Sequence, residues 1–186
     1  MTLTRCQWAA HDPLMQDYHD HEWGRPVRGD TALFERITLE AFQSGLSWLI
    51  VLRKREAFRT AFAGFEPAVV AQFSDEDRAR LLADAGIIRN RAKVDATLAN
   101  ARALLDLQRA EGEGALDRVV WSHRPVVHDR PADSAAIAST SPQSQALARE
   151  LRAKGFRFVG PTTMYAAMQA CGLVNDHVLG CQFAGD

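Results

Sequence analysis

Apolar residues recur at helical spacing along most of this chain, and no stretch shows the sustained apolar–polar alternation of a half-buried β-strand. One stripe predicts a helix that is capped by Asp30 and ends near Gly45; its members are Leu33, Phe34, Ile37 and Ala41. Capping residues predict further helix starts at Ser47, at Ser74 with Asp77, at Asn90, at Ser141 followed by Pro142, and at Gly160 followed by Pro161. The chain is therefore predicted to be all-α.

A length of 186 residues suits one core, or two small lobes that share one. We predict a single helical unit with central helices over about 30–140, and a lobe formed by residues 1–29 and 141–186. Residues 122–140 carry two prolines and are predicted to form a long surface loop. No apolar run approaches the roughly 18 residues of a membrane span. The N-terminus lacks the apolar core of a signal peptide, so we expect a cytoplasmic protein.

The net charge of −1 gives no overall signature of a nucleic-acid-binding protein. Basic side chains nevertheless cluster beside predicted turns, where a phosphate group could be bound. The three clusters are Arg53, Lys54, Arg55 and Arg59; Arg89, Arg91 and Lys93; and Arg149, Arg152, Lys154 and Arg157. Each cluster alone is more readily explained as a solvated helix face.

The segment between the last two predicted helices contains two glycines, Gly155 and Gly160. Gly155 is expected to end the first helix in the left-handed conformation, and Gly160 to let the backbone approach a partner closely. Free N–H groups at the start of the second helix suit a DNA phosphate. On spacing alone, a tight connection without any ligand is the favoured alternative.

Glu40 borders the apolar face of its predicted helix. A carboxylate in that position needs a partner or has a chemical role. Arg36 lies four residues earlier and offers an ion pair. The residues alone leave both interpretations open.

Leu46 lies on the turn immediately before the Ser47 cap. It is either a hydrophobic staple against Val51 or a wedge that fills the gap left in DNA by a flipped-out nucleotide. Trp48 is either a core residue or a wall on which an extrahelical base stacks. An aromatic-rich N-terminal segment adds Trp8, Tyr18 and Trp23, each of which is individually more typical of packing.

Two Cys–His pairs lie at opposite ends of the chain: Cys6 with His19, and His177 with Cys181. Two Cys and two His form a standard ligand set for structural zinc. On a helix, the second pair would share one face. His11 and His21 compete for the role, so spacing alone does not establish the site. Three cysteines without a secretory signal favour reduced thiols or metal ligands over disulfides.

A set of segments, taken in order, resembles the 3-methyladenine DNA glycosylase I family: CQW, DYHDHEWG, LEAFQSGLSW, VLRKRE, DAGIIRNRAK and GFRFVGPTTMYAAMQACGLVNDHVLGC. Only the region around residues 110–140 matches poorly. The resemblance implies an all-α fold of the helix-hairpin-helix glycosylase superfamily. It also implies one structural zinc ion that ties the chain ends together, bound by Cys6, His19, His177 and Cys181.

The resemblance further implies site residues for base and DNA. The base pocket falls on Glu40, as the catalytic residue, with Tyr18, Trp48 and Trp8; the DNA contacts fall on Gly45, Leu46, Lys154, Gly155 and Gly160. The implied activity is that of a monomeric base-excision repair enzyme acting on alkylated double-stranded DNA. It would hydrolyse the N-glycosidic bond of 3-methyladenine, release the free base and leave an abasic site.

One departure from the wider superfamily concerns catalysis. Many members carry a catalytic aspartate in a Val-Asp-x-His stretch, whereas this chain has Asn175 in the corresponding place. No lysine stands out as a Schiff-base nucleophile, so a monofunctional enzyme is expected. The alternatives from other classes are a non-catalytic, zinc-stabilised binding module and a zinc hydrolase. Four protein ligands would leave no open metal position for the hydrolase.

Overall fold

A computed structural model describes residues 4–184, so the outermost residues of the predicted terminal lobe, 1–3 and 185–186, lie outside the described residues. Between residues 4 and 184 the chain is helical and contains no strand, which confirms the all-α prediction. Its α-helices are α1 (Pro13–His21), α2 (Asp30–Gln43), α3 (Trp48–Ala61), α4 (Pro67–Val70), α5 (Asp75–Ala83), α6 (Arg91–Glu111), α7 (Ala115–Ser122), α8 (Pro142–Ala153) and α9 (Pro161–Ala170). None of them is long and apolar enough to cross a membrane.

Most predicted helix starts are confirmed, because capping is a local interaction. Ser74 and Asp77 form a reciprocal capping box at α5, and the Asn90 side chain accepts a hydrogen bond from the Lys93 backbone N–H at α6. Ser141 begins α8 in the same way, with Ser144 completing the box. Ser47 precedes α3 as predicted, but its side chain makes no capping hydrogen bond.

The prediction that Asp30 caps α2 is wrong. Gly29 is the N-cap, and Asp30 is the first helical residue. The Asp30 carboxylate accepts hydrogen bonds from the side chain of Gln108 and from the backbone N–H groups of Gly114 and Asp117. It therefore caps the start of α7, a helix distant in sequence.

Three helices were not predicted. Asp12 caps α1, where Pro13 occupies the first turn, but the His and aromatic content of that segment obscured its periodicity. Helix α4 has four residues, too few for a periodic signal. Helix α7 buries Leu116, Val119 and Val120 at helical spacing, which the surrounding glycines masked.

Helix α2 lies at the centre of the core and packs against α3, α6, α7 and α9. Phe42, Phe58, Phe62 and Phe65 stack on one side of it, and all four are fully buried. Burial of each such ring contributes on the order of 1.5–3 kcal/mol. A second, smaller buried cluster joins the chain ends and includes Cys6, Tyr18, Trp23, Leu52, Ala170 and Cys181.

The predicted long loop is confirmed between α7 and α8, apart from one short 3₁₀ turn over Ser134–Ala136. The loop is fastened to the C-terminal segment. Arg130 donates to the carbonyl oxygens of His177 and Val178, and Pro131 accepts from the backbone N–H of Leu179. These bonds place the end of the loop beside the cavity described next.

Candidate functional site

A partly open cavity of about 210 Å³ lies where α1, α2, α3 and α9 converge. An apolar cavity of about 150 Å³ is enough to hold benzene, so this one has room for a larger ring. Its walls combine aromatic side chains with one carboxylate and two carboxamides. The lining residues are Trp8, Tyr18, Trp23, Glu40, Gln43, Trp48, Ile137, Ala166 and Gln169.

Glu40 is only 5% exposed, and its Oε2 has no hydrogen-bond partner within residues 4–184. Burial raises the pKa of Glu40 to about 8, and the positive charge of Arg36 opposes that rise. A buried carboxyl without a partner costs stability unless a ligand satisfies it. The Glu40 carboxyl is therefore a polar group of this cavity that is free to bind a ligand.

Arg36 does not form a hydrogen-bonded ion pair with Glu40. Its Nη2 binds Oε2 of Glu22 at 2.9 Å, and Arg55 binds the same oxygen at 2.6 Å. Arg36 therefore acts on Glu40 only through its charge. Of the two interpretations of Glu40 left open by the sequence, direct pairing with Arg36 is excluded.

The aromatic residues form a continuous wall. The rings of Tyr18 and Trp48 are 5.2 Å apart, those of Trp8 and Trp23 are 5.0 Å apart, and Trp8 lies 6.5 Å from Tyr18. The indole Nε1 of Trp48 is buried without a partner in the described part of the chain. Such a wall suits a flat ring, and its π faces attract a cation.

The cavity brings together all four residues assigned to the base pocket, and it also contains residues that were not assigned to it. Gln43 lies one turn after Glu40 on α2, and Gln169 lies one turn after Ala166 on α9. Gln43 could have been predicted as a cavity residue from the sequence, because it lies one helical turn from Glu40. Trp23 was noted in the sequence only as one of three aromatic residues. Ile137 comes from the long loop, where no sequence signal exists.

The turn after α2 presents Leu46 beside the cavity-lining helix. Gly45 adopts φ +82°, a left-handed conformation that disfavours other residues, and Leu46 is 40% exposed. Val51, the proposed staple partner, is fully buried. The Nζ of Lys93 fixes the base of this turn by donating to the carbonyl oxygens of Phe42 at 2.8 Å and Ser44 at 2.6 Å.

The connection between α8 and α9 has the expected left-handed Gly155, at φ +90°. Gly160 is the N-cap of α9 with φ −69°, a conformation open to any residue. Lys154 binds the Glu111 carboxylate at 2.7 Å. Asn100 holds the connection in place, because its side chain bonds both the N–H and the carbonyl oxygen of Arg157.

The Cys–His pairs from the two chain ends meet in a separate buried cluster formed by Cys6, His19, His177 and Cys181, with all ligand atoms within 4.8 Å of one another. His177 Nδ1 lies 3.2 Å from His19 Nε2, 3.4 Å from the Cys181 sulfur and 3.9 Å from the Cys6 sulfur. A tetrahedral zinc ion would hold such atoms about 3.3–3.8 Å apart. The residues present therefore fit a closed metal site.

Surrounding groups fix the orientation of both imidazoles, as metal ligation would require. Nδ1 of His19 faces Asp20 at 2.8 Å, and Nε2 of His177 faces the Trp23 carbonyl oxygen at 3.3 Å. Burial lowers the pKa of His177 to about 4, so its ring is neutral near pH 7. The 177–181 segment is not helical, so the shared helix face considered from sequence is wrong; a turn brings His177 and Cys181 together instead.

Asn175 lies outside the cavity lining. Its Nδ2 donates to the Ala184 carbonyl oxygen at 2.8 Å, and its Oδ1 accepts from the His177 N–H at 3.3 Å. Asn175 thus shapes the chain end beside the Cys–His cluster.

The fold and cavity define an all-α protein with a partly open aromatic cavity that has room for a flat ring and a separate Cys–His cluster that could hold a metal ion. A family model described as methyladenine glycosylase matches residues 8–184. The chain is 50% identical to DNA-3-methyladenine glycosylase 1 of Escherichia coli (strain K12) over 182 residues, covering 96% of each protein. Identity to DNA-3-methyladenine glycosylase of Haemophilus influenzae is 42% over 181 residues, again 96% of each.

Solved structures agree with these matches. A crystal structure of 3-methyladenine DNA glycosylase I superposes with a TM-score of 0.91 at 46% identity, covering 96% of this chain and 98% of the other. A Staphylococcus aureus structure, described as showing the basis of 3-methyladenine recognition by 3-methyladenine DNA glycosylase I, gives 0.91 at 31% identity, covering 100% and 99%. The chain belongs to the methyladenine glycosylase family.

Proposed function

We propose that this protein is a base-excision repair enzyme that hydrolyses the N-glycosidic bond of 3-methyladenine in alkylated DNA. The observation that carries the proposal is the Glu40 carboxyl, buried in an aromatic cavity with Oε2 unsatisfied within the described residues. Relatives named for this activity align with nearly the whole chain, at 50% and 42% identity. The products are free 3-methyladenine and an abasic site.

The chemistry of the damaged base reduces what the protein must supply. Methylation at N3 gives adenine a formal positive charge, so the base leaves as a neutral molecule without prior protonation. Tyr18, Trp48 and Trp8 attract the cationic ring through their π faces. Normal adenine is neutral, so it does not leave readily without protonation and is not attracted to the aromatic walls as a cation.

Glu40 supplies the complementary charge. Burial favours its protonated form in the free protein, whereas an entering cation favours the carboxylate. The ionised Glu40 then accepts hydrogen bonds from the adenine edge in a low-dielectric cavity, where such bonds are strong. In this account, selective binding of the cationic base provides most of the discrimination.

Two turns of the protein are proposed to contact DNA. Leu46, exposed at the tip of the Gly45 turn, fills the space left in the duplex when the damaged nucleotide is flipped into the cavity. The connection between α8 and α9, with Gly155 and Gly160, acts as a helix-hairpin-helix motif that binds backbone phosphate at the start of α9. Lys154 contributes charge there once it exchanges Glu111 for phosphate.

We further propose that Cys6, His19, His177 and Cys181 hold one zinc ion. The ion would supply structural cross-linking of the two chain ends, since four protein ligands leave no open position. Asp20 and the Trp23 carbonyl oxygen fix the ring orientations that this ligand set needs. The protein is proposed to act as a monomer on double-stranded DNA.

The proposed enzyme is monofunctional. Lys93 is buried and already bonded to two carbonyl oxygens, and it does not line the cavity. Asn175, which occupies the superfamily's catalytic aspartate position, is an amide and cannot act as a base. Strand cleavage by the protein itself is therefore not expected.

The test uses duplex DNA treated with a methylating agent. After incubation with the purified protein, released bases are separated by chromatography, and the strands are analysed before and after alkali. We expect free 3-methyladenine, with strand breaks only after alkali. Binding of the DNA without release of any base would instead support a non-catalytic module and overturn the proposal.

A further inference from the structure

Asp176 is a buried acid for which the proposed mechanism has no use. It is 3% exposed and does not line the cavity. Its Oδ1 lies 2.7 Å from Nε2 of His128, and its Oδ2 accepts hydrogen bonds from the Tyr165 hydroxyl at 2.9 Å and from Nε2 of Gln169 at 2.7 Å. The last of these bonds connects Asp176 to the cavity, because Gln169 lines it.

The bond to Asp176 determines which way the Gln169 amide faces. A carboxylate only accepts hydrogen bonds, so Gln169 must turn its NH₂ group towards Asp176. Its carbonyl oxygen, Oε1, is then the amide atom left for a ligand. Gln169 and Ala166 lie one turn apart on α9 and contribute to the same cavity wall.

We propose that Gln169 is a second specificity-determining residue beside Glu40: its Oε1 accepts a hydrogen bond from one hydrogen of the exocyclic amino group of the alkylated adenine, while Glu40 accepts from the other. Asp176 is the positioning residue that holds the amide in this orientation. The proposal rests on the proposed function and extends it by naming a second acceptor that distinguishes a 6-amino purine from a 6-oxo purine.

The discrimination follows from the fixed amide. Guanine carries an oxygen where adenine carries the amino group, so a 3-methylguanine in the same position would place two acceptors face to face. A free glutamine would rotate its amide and offer NH₂ instead. Gln169 cannot do so without turning Oε1 against the Asp176 carboxylate, which leaves buried acceptors unpaired.

The experiment measures release of 3-methyladenine and 3-methylguanine from the same methylated duplex DNA by the wild type and by Gln169→Met. The wild type is expected to favour 3-methyladenine. Gln169→Met keeps the side-chain length but removes the amide, so release of 3-methyladenine should fall roughly tenfold, the loss of one hydrogen bond to a charged ligand. Release of 3-methylguanine should stay constant or rise.

Two further variants separate positioning from stability. Asp176→Asn frees the Gln169 amide to rotate, so the preference for 3-methyladenine should shrink because 3-methylguanine release rises. Tyr165→Phe removes a different hydrogen bond to Asp176 and leaves the bond to Gln169, so it should lower the melting temperature without changing the preference. Melting curves and metal content verify that each variant is folded.

The outcomes are distinguishable. A wild type that releases no base overturns the proposed function, and the role of Gln169 falls with it. A wild type that releases both bases equally well overturns only the role of Gln169. The same holds if Gln169→Met lowers release of both bases by one factor, since Gln169 would then be purely structural.

Discussion

Arg36 and Glu40 lie one helical turn apart on α2, yet the guanidinium of Arg36 binds Glu22 while the carboxyl of Glu40 faces the aromatic cavity. This arrangement keeps the partly buried guanidinium of Arg36 from forming a hydrogen-bonded pair with the buried carboxyl of Glu40. Arg36 is held by a carboxylate outside the cavity, and Glu40 keeps an oxygen that no described residue satisfies. A site of this kind trades stability for ligand binding.

The first prediction concerns the stability that the protein loses by burying the Glu40 carboxyl. Glu40 has a folded pKa of about 8, above its value of 4.5 in the unfolded chain, so the unfolded chain loses this proton first as pH rises. Stability from the protonated group is complete below pH 4.5 and declines as pH increases towards 8. Glu40→Gln removes the decline. Thermal or urea unfolding should show the variant gaining about 1–3 kcal/mol relative to wild type between pH 5 and pH 8.

A stability difference between Glu40→Gln and wild type that does not change with pH would show that Glu40 is ionised or satisfied in the free protein. Glu35→Gln is the control. Its carboxylate binds Arg59 at 2.8 Å and does not line the cavity. Glu35→Gln therefore controls for the replacement of a carboxyl on the same helix that is paired and lies outside the cavity.

The second prediction concerns the metal. If the Cys–His cluster holds zinc as proposed, treatment with a strong chelator should lower the melting temperature by at least about 5 °C, because the ion would link residues from both chain ends. Cys6→Ser should have the same effect. Cys171→Ala should retain the metal, since Cys171 is not part of the cluster. Elemental analysis that finds no zinc in protein never exposed to chelator would contradict the assignment.

The third prediction concerns Leu46. If Leu46 fills the gap in duplex DNA, Leu46→Ala should weaken binding and excision of duplex by about tenfold or more and spare binding of free 3-methyladenine. If Leu46 is instead a staple against Val51, the change should cost up to about 1 kcal/mol of stability and leave DNA affinity intact. Val69→Ala is the control, because Val69 is similarly exposed, at 45%, on α4.

The fourth prediction concerns Lys93, which fixes the turn that carries Leu46. Lys93→Met keeps the apolar stem but leaves the carbonyl oxygens of Phe42 and Ser44 without this donor. Excision from duplex should fall more than binding of the free base. Lys54→Met is a matched control, because Lys54 likewise binds two carbonyl oxygens, those of Ala85 and Gly86, away from this turn. Equal losses of duplex excision in both variants would show that Lys93 only stabilises the fold.

The sequence predicts features that depend on neighbouring residues. The capping box of Ser74 and Asp77 and the left-handed Gly155 were found because each is set within a few residues. Asp30 was misassigned because its partners lie 78–87 positions away in the chain. Lys93 looked like part of a basic surface cluster, and only its tertiary contact with α2 reveals a buried structural cation.

In the candidate site too, the sequence predicts local features and misses those that depend on distant contacts. Glu40 was identified by its place beside an apolar stripe, but the direction of Arg36 depends on Glu22, which no periodicity indicates. Gln169 and Ile137 reach the cavity from a late helix and an irregular loop, so their positions follow from packing alone. The two Cys–His pairs were noted from the residues, but their spacing left His11 and His21 as competitors, and the resemblance selected the four metal-ligand candidates.

The central claim is that the cavity selects the methylated base through Glu40 and its aromatic walls, and titration of free bases tests it most directly. Three of the four tryptophans, Trp8, Trp23 and Trp48, line the cavity, so their fluorescence reports binding. We predict saturable binding to the wild type of 3,9-dimethyladeninium, in which the 9-methyl group keeps the ring cationic as the sugar does in DNA, at least tenfold weaker binding to Glu40→Gln in a protein of undiminished melting temperature, and little binding of neutral 9-methyladenine. Equal binding of the cationic and the neutral base, or unchanged affinity in Glu40→Gln, would contradict the account.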